Sequence, residues 1–66
     1  MITLTQLNGK PVMVNCDLIE SIERDDETVV TLTTGTIVVV TETMAQIERK
    51  VLDFKRKVYA IGRPRA

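Results

Sequence analysis

Hydrophobic and polar residues alternate in short segments over the first two thirds of the chain. Residues 2–7 (ITLTQL) and 28–33 (TVVTLT) alternate most clearly, which indicates strands with one buried face, because successive side chains of a strand point to opposite sides. Three further segments complete a series of five predicted strands, at residues 10–15, 19–24 and 36–41. The pattern therefore predicts an antiparallel five-stranded β-meander, and it leaves open whether the meander closes into a small barrel.

Turn-forming residues separate the predicted strands. Asn8-Gly9 lies between the first two and predicts a two-residue type I′ turn, because both residues tolerate the positive φ that this turn requires. Gly35 marks a second turn before the last strand, so Asn8, Gly9 and Gly35 are predicted to have structural roles. In the third strand Ile19 and Ile22 are three residues apart, a departure from strict alternation.

The fifth predicted strand is apolar on both faces, with Ile37 and Val39 on one side and Val38 and Val40 on the other. A sheet with one face in water should alternate apolar and polar positions. We therefore predict that both faces of this strand are covered, one by the helix of the same chain and the other by a subunit interface. The alternative is a tightly curled barrel that covers its own strand.

After Thr43 the hydrophobic period changes from that of a strand to that of a helix. Thr43-Met-Ala-Gln46 fits a capping box, in which the two end residues bond each other's backbone N–H groups. Apolar residues then recur at spacings of three and four: Met44, Ile47, Val51, Phe54, Val58 and Ile61. We therefore expect a single α+β domain, with the meander over residues 1–42, one amphipathic helix over 43–61, and a flexible basic tail over 62–66.

The predicted helix is longer than the sheet it would cover. Eighteen helical residues span about 27 Å, whereas short strands span about 17–20 Å. The C-terminal end of the hydrophobic face, together with a flanking apolar stripe, should therefore extend beyond the sheet. Its exposure would favour a homo-oligomer. The alternative is that the whole face packs on the sheet of its own chain. The predicted oligomer interface comprises residues of strand five and of the helix: Ile37, Val39, Leu52, Phe54, Val58, Tyr59 and Ile61.

Charge is separated along the chain, although the net charge is zero. Residues 1–42 carry two basic and seven acidic side chains, net −5, and residues 43–66 carry seven basic and two acidic ones, net +5. Such asymmetry indicates an anionic partner or attraction between copies, unless the helix surface is simply solvated. The predicted contacts with an anionic partner are the basic residues of the C-terminal part: Arg49, Lys50, Lys55, Arg56, Lys57, Arg63 and Arg65.

The composition argues against catalysis. The chain has no histidine and one cysteine, Cys16, so it lacks the commonest general base and can form no disulfide within one chain. A lone cysteine fits a reducing, cytoplasmic compartment. The acidic residues 25–27 lack the spacing of a calcium-binding loop, and no apolar run approaches the length of a membrane span. We expect a soluble protein that is not an enzyme, with no metal and no cofactor.

Four segments in order resemble one known family: MITLTQLNGK, VNCDLIESIE, TVVTLTTG and VVVTET. Together they are similar to the FlbD/SwrD family of small flagellar and swarming motility proteins over about residues 1–54. Cys16 stands where such proteins often have proline, and Thr36 and Thr41 stand where lysines are common. The last hairpin is therefore less basic here than in such proteins, which weakens the prediction of a partner contact at this hairpin.

The resemblance implies a bacterial cytoplasmic accessory protein of flagellar motility that supports motor power or swarming and has no enzymatic activity. From this resemblance we expect contact with a flagellar motor or stator component at the inner membrane. The basic helix is compatible with a position beside an anionic membrane surface. An alternative is a small nucleic-acid-binding regulator that uses the basic helix and tail, although Phe54 and Tyr59 are the only aromatic residues that could stack on bases.

Overall fold

The computed structural model describes the backbone of residues 1–62 and the side chains of residues 1–58. The strands are β1 (Ile2–Thr5), β2 (Pro11–Val14), β3 (Ile19–Arg24), β4 (Thr28–Leu32) and β5 (Ile37–Val40), and the helix is α1 (Met44–Gly62). A short 3-10 helix, Cys16–Leu18, connects β2 to β3. The predicted α+β fold, five antiparallel strands followed by one C-terminal helix, is confirmed.

The five strands form two sheets rather than one closed surface. β1 pairs with β2, and β3, β4 and β5 form a three-stranded sheet in that order. A single bridge between Gln6 and Val40 links the sheets, and beside it the Thr41 N–H donates to the Thr5 carbonyl at 2.9 Å. Within the described residues β2 and β3 are not paired, so the barrel alternative is wrong.

The first hairpin has a three-residue loop, so the predicted type I′ turn is wrong. Gln6 and Lys10 close the loop, with the Gln6 N–H donating to the Lys10 carbonyl at 2.9 Å. Only Gly9 has a positive φ, of 87°, as expected for a three-residue loop, which needs a single left-handed position. The Asn8 side chain instead accepts a hydrogen bond from the Lys10 N–H at 2.9 Å.

The hairpin between β4 and β5 repeats this geometry. The Leu32 N–H donates to the Thr36 carbonyl at 2.8 Å, and the Gly35 N–H donates to the Leu32 carbonyl at 2.9 Å. Gly35 has φ 91° and takes the position that Gly9 takes in the first loop. The two hairpins therefore use the same loop, with glycine at its third residue.

A β-bulge explains the irregular spacing in the third strand. Ile19 pairs with Leu32 and Ser21 pairs with Thr31, so β3 has one extra residue between the two pairs. An extra residue reverses the alternation of faces beyond it. As a result Ile19 and Ile22 both pack against the core.

The core lies between the sheets and the helix. Its buried residues come from strands β1, β2, β4 and β5, the 3-10 helix and α1: Ile2, Leu4, Val14, Cys16, Val30, Val40 and Ile47. On α1, Ile47 is fully buried, and Val51 and Phe54 are partly buried against this cluster. The helix thus packs on its own chain through the middle of its hydrophobic face.

The capping box at the start of α1 is confirmed. The Thr43 N–H donates to Gln46 Oε1 at 2.9 Å, and the Gln46 N–H donates to Thr43 Oγ1 at 3.1 Å. Each side chain satisfies a backbone N–H that has no partner inside the helix. The cap fixes where the helix begins, four residues after β5 ends.

Candidate interaction surfaces

One candidate surface lies on the outer face of the three-stranded sheet. Val38 and Val40 point toward the core, whereas Ile37 and Val39 point away from it. Ile37 is 62% exposed. A shallow groove separates β5 from the first hairpin loop, and Leu7, 52% exposed, lines it. We call Leu7, Ile37 and Val39 the sheet patch.

A second candidate surface lies along one side of α1, beside β3. Met44, Glu48 and Val51 line an open groove whose other wall is formed by residues of β3 and the 3-10 helix: Cys16, Ile19 and Ile22. The same side of the helix continues through later residues, since positions three or four apart are neighbours on a helix. We call this side the helix flank, and it consists of Met44, Glu48, Val51, Leu52, Lys55 and Val58.

The opposite side of α1 borders a polar groove. Arg49 and Lys50 line it together with Glu42 and Gln46. The Glu42 carboxylate accepts a hydrogen bond from the Thr5 N–H at 2.9 Å. Partial burial acts to raise the pKa of Glu42, but the hydrogen bonds from Thr5 and the nearby Lys50 charge outweigh it and hold that pKa below its ordinary value. This carboxylate therefore joins the start of the helix to β1 and stays ionised at neutral pH.

The basic residues of α1 differ in their surroundings. Arg49 Nε lies 3.4 Å from Asp53 Oδ1, and Lys55 Nζ lies 3.7 Å from Asp17 Oδ1. Both pairs are exposed, so each adds little stability. Arg56 and Lys57 are exposed on the helix surface. The other predicted anion contacts, Arg63 and Arg65, lie outside the described residues.

The acidic loop and the basic residues after Lys55 lie toward different ends of α1. The acidic loop Asp25–Glu27 follows β3, and the pairing of β4 with β5 places this loop beside the end of β5, where α1 is about to begin. α1 then runs back along β3, since Lys55 reaches Asp17 just before the start of that strand. Arg56 and Lys57 lie beyond this contact. The acidic loop and these two basic residues are thus separated along the length of the helix.

The predicted oligomer interface falls on more than one surface. Ile37 and Val39 lie on the face of the sheet that points away from the core and the helix, whereas Leu52 and Val58, each 46% exposed, lie on the helix flank. Phe54 packs against the core of its own chain. The side chains of Tyr59 and Ile61 lie outside the described set. Exposure of Val58 fits a helix that extends beyond the sheet, and the interface itself stays a prediction.

The sequence patterns did not single out Leu7 or Glu42. Leu7 reads as the last residue of an alternating strand, and only the loop geometry shows it exposed beside β5. The role of Glu42 depends on Thr5, a contact across 37 positions of sequence. No local pattern indicates such a contact.

A reactive thiol, a group of metal ligands or a membrane-spanning helix would indicate other functional classes. Cys16 is buried and not disulfide-bonded. The described side chains bring together no group of three or more potential metal ligands. Within residues 1–62, no helix is both long and apolar enough to span a membrane.

Comparison with known protein families gives a match that covers most of the chain. A family model described as FlbD, flagellar and swarming motility proteins, matches residues 1–59. This match covers all five strands and continues in α1 to residue 59, beyond the limit of about residue 54 that the resemblance reached. No curated protein and no solved structure matches the chain. By the family match, the chain belongs to the FlbD family of flagellar and swarming motility proteins.

Proposed function

We propose that this chain is a non-enzymatic accessory protein that supports flagellar motor power or swarming through protein–protein contacts, in part with other copies of itself. The observation that carries the proposal is the exposure of four large apolar side chains, Leu7, Ile37, Leu52 and Val58, at 46–62%. They lie on two surfaces of a very small domain. Grouped exposed apolar residues mark surfaces that bind other proteins.

Size supports the same proposal. A chain of 66 residues buries only about 60% of the surface of its unfolded form, and domains of this size often gain stability by association. Two side chains of the sheet patch, Ile37 and Val39, lie on β5. A sheet face that is exposed to water normally has polar residues at such positions. Covering this patch and the helix flank would supply the contacts that the small core lacks.

The proposed location is the cytoplasmic side of the inner membrane, near the flagellar base, with a motor or stator component as partner. Supporting this are the family and the basic end of α1, where Arg56 and Lys57 are exposed. Basic residues near a membrane are attracted to anionic lipid headgroups. Attraction of this kind would hold the protein peripherally, next to motor proteins.

A swarming assay with filament counts tests the proposal. A strain lacking the protein should swarm poorly while it assembles as many filaments as the parent. The protein carrying Lys55→Glu, Arg56→Glu and Lys57→Glu should restore less swarming than the unchanged protein. A matched control, Thr3→Asp on the exposed face of β1, should restore it fully. Normal swarming without the protein, or loss of filaments, contradicts the proposal.

A nucleic-acid-binding regulator is the rival function. Exposure of Arg56 and Lys57 on one end of the helix favours it, since such residues can contact phosphates. Phe54 argues against it, because this ring packs on the core and is not free to stack on a base. Binding to RNA or DNA that weakens steeply with salt would support the rival, and no binding at low salt would remove it.

A further inference from the structure

The helix flank has the features of a surface that binds another helix. Met44, Leu52 and Val58 are all more than 40% exposed along it. The first half of the flank, at Met44 and Val51, borders the open groove whose far wall includes the apolar side chains of Ile19 and Ile22. A second helix placed along α1 would therefore contact apolar side chains of the flank and of β3 together.

The charges on this flank fit a second copy of the same chain. Glu48 and Lys55 lie seven residues apart on one side of α1, and neither has an oppositely charged residue three or four positions away in the helix. In an antiparallel pair of identical helices related by a twofold axis midway between Val51 and Leu52, Glu48 of each copy faces Lys55 of the other. Val51 of each then faces Leu52 of the other at the centre.

We propose that two copies of the chain associate through the helix flank, with their α1 helices antiparallel about this twofold axis, so that Glu48 and Lys55 form two ion pairs between copies. The inference rests on the self-association in the proposed function and names its surface and register. A twofold contact of this kind is self-complementary and closes at two copies.

The charges of the acidic loop and of Arg56 and Lys57 favour the antiparallel direction. The acidic loop Asp25–Glu27 lies near the start of α1, and Arg56 and Lys57 lie toward its other end. Antiparallel helices bring the basic end of each copy toward the acidic end of the other. Parallel helices would bring like charges together, which is unfavourable.

The intrachain contact of Lys55 is compatible with this arrangement. Its Nζ lies 3.7 Å from Asp17 Oδ1, but the side chain remains 44% exposed. An ammonium group has three donors, so Lys55 can face Asp17 of its own chain and Glu48 of the second copy. Asp17→Asn removes the intrachain contact alone and serves as a control for substitutions of Lys55.

The test is a charge exchange measured by sedimentation equilibrium or light scattering. The unchanged protein should have twice the 7.4 kDa chain mass at tens of micromolar. Glu48→Lys and Lys55→Glu should each raise the dimer dissociation constant at least about tenfold, because each places like charges opposite each other twice. An equimolar mixture of the two variants should form a heterodimer again, since one ion pair forms with its native signs and the other forms with its signs exchanged. Asp17→Asn should leave the dimer intact.

Crosslinking gives an independent check of the register. Leu52→Cys should form a covalent dimer on mild oxidation, because this position lies beside the twofold axis. Lys57→Cys on the other side of α1 is the matched control and should not. Far-UV circular dichroism confirms that each variant is folded.

The outcomes separate this inference from the wider proposal. A dimer that is insensitive to Glu48→Lys and Lys55→Glu, or a mixture that fails to reassociate, overturns the helix flank as the interface but leaves self-association standing. A monomer at all concentrations overturns both the interface and self-association. Swarming of the strain that lacks the protein tests the role in motility separately.

Discussion

The Glu42 carboxylate accepts a hydrogen bond from the backbone N–H of Thr5 at 2.9 Å, although the two residues are 37 positions apart. The carbonyl of the same Thr5 accepts the Thr41 N–H, also at 2.9 Å. The backbone N–H and the carbonyl of Thr5 in β1 are thus both hydrogen-bonded to the segment that leads into α1. This contact fixes where the helix leaves the sheet and hence where the helix flank lies.

Glu42→Gln should lower the free energy of unfolding by about 1 kcal/mol, because a hydrogen bond to a charged acceptor becomes a weaker neutral one. Urea unfolding at neutral pH measures the change. Glu20→Gln, at an exposed position of β3, is the control and should change little. Equal stability of the two variants would show that the Glu42 contact is not stabilising.

The same contact should make stability depend on pH. The folded-state pKa of Glu42 is held below its ordinary value of 4.5, so its stabilisation is present above that value and is lost as the pH falls through the folded-state pKa. The difference in unfolding free energy between the unchanged protein and Glu42→Gln should therefore shrink in acid. A difference that stays constant down to strongly acidic pH would contradict the assignment.

Gly9→Val should destabilise the protein by about 1–2 kcal/mol through backbone strain, since β-branched residues strongly disfavour positive φ. A Cβ at Gly9 meets no atom within 4 Å, so crowding is not the cause. Gly9→Asn should be milder because asparagine tolerates the left-handed region. Thermal unfolding of the two variants compares them, and a valine variant as stable as the parent would refute the strain at this position.

Ile47→Ala should cost about 2–5 kcal/mol, as for other large-to-small changes in a packed core. Ile47 is fully buried. Val58→Ala lies on the same hydrophobic face but is exposed, and in dilute solution it should change the unfolding free energy by less than about 0.5 kcal/mol. Similar losses for both variants would mean that α1 packs on its own sheet along its whole length.

The elements of this fold could be predicted because their signals are local. The change from strand to helix period at Thr43 and the capping box with Gln46 lie within a few residues. The type of the first turn could not be predicted, because it depends on which residues pair across the hairpin. The pair Gln6 and Lys10 leaves three residues in the loop rather than two.

The candidate surfaces could be predicted only in part, for the same physical reason. The sequence shows that β5 is apolar on both faces, and Ile37 on its outer face is exposed in the single chain, so the subunit interface over it stays a prediction. Phe54 was expected to need an outside cover, but it packs on the core because α1 lies against the sheet as far as that residue. Hydrophobic periodicity shows which face of a helix is apolar, and it does not show where the underlying sheet ends.

We propose above that the exposed apolar surface of this protein supports the flagellar motor through protein contacts. The most direct measurement is the torque of single motors, read from beads on filament stubs, in cells that carry the unchanged protein or Ile37→Asp. The change places a charge in the sheet patch at a side chain that is already 62% exposed, and Thr3→Asp is the matched control. We expect reduced torque with Ile37→Asp, normal torque with Thr3→Asp, and unchanged filament number and protein level. Full torque with a folded Ile37→Asp protein, or in cells lacking the protein altogether, would contradict the proposal.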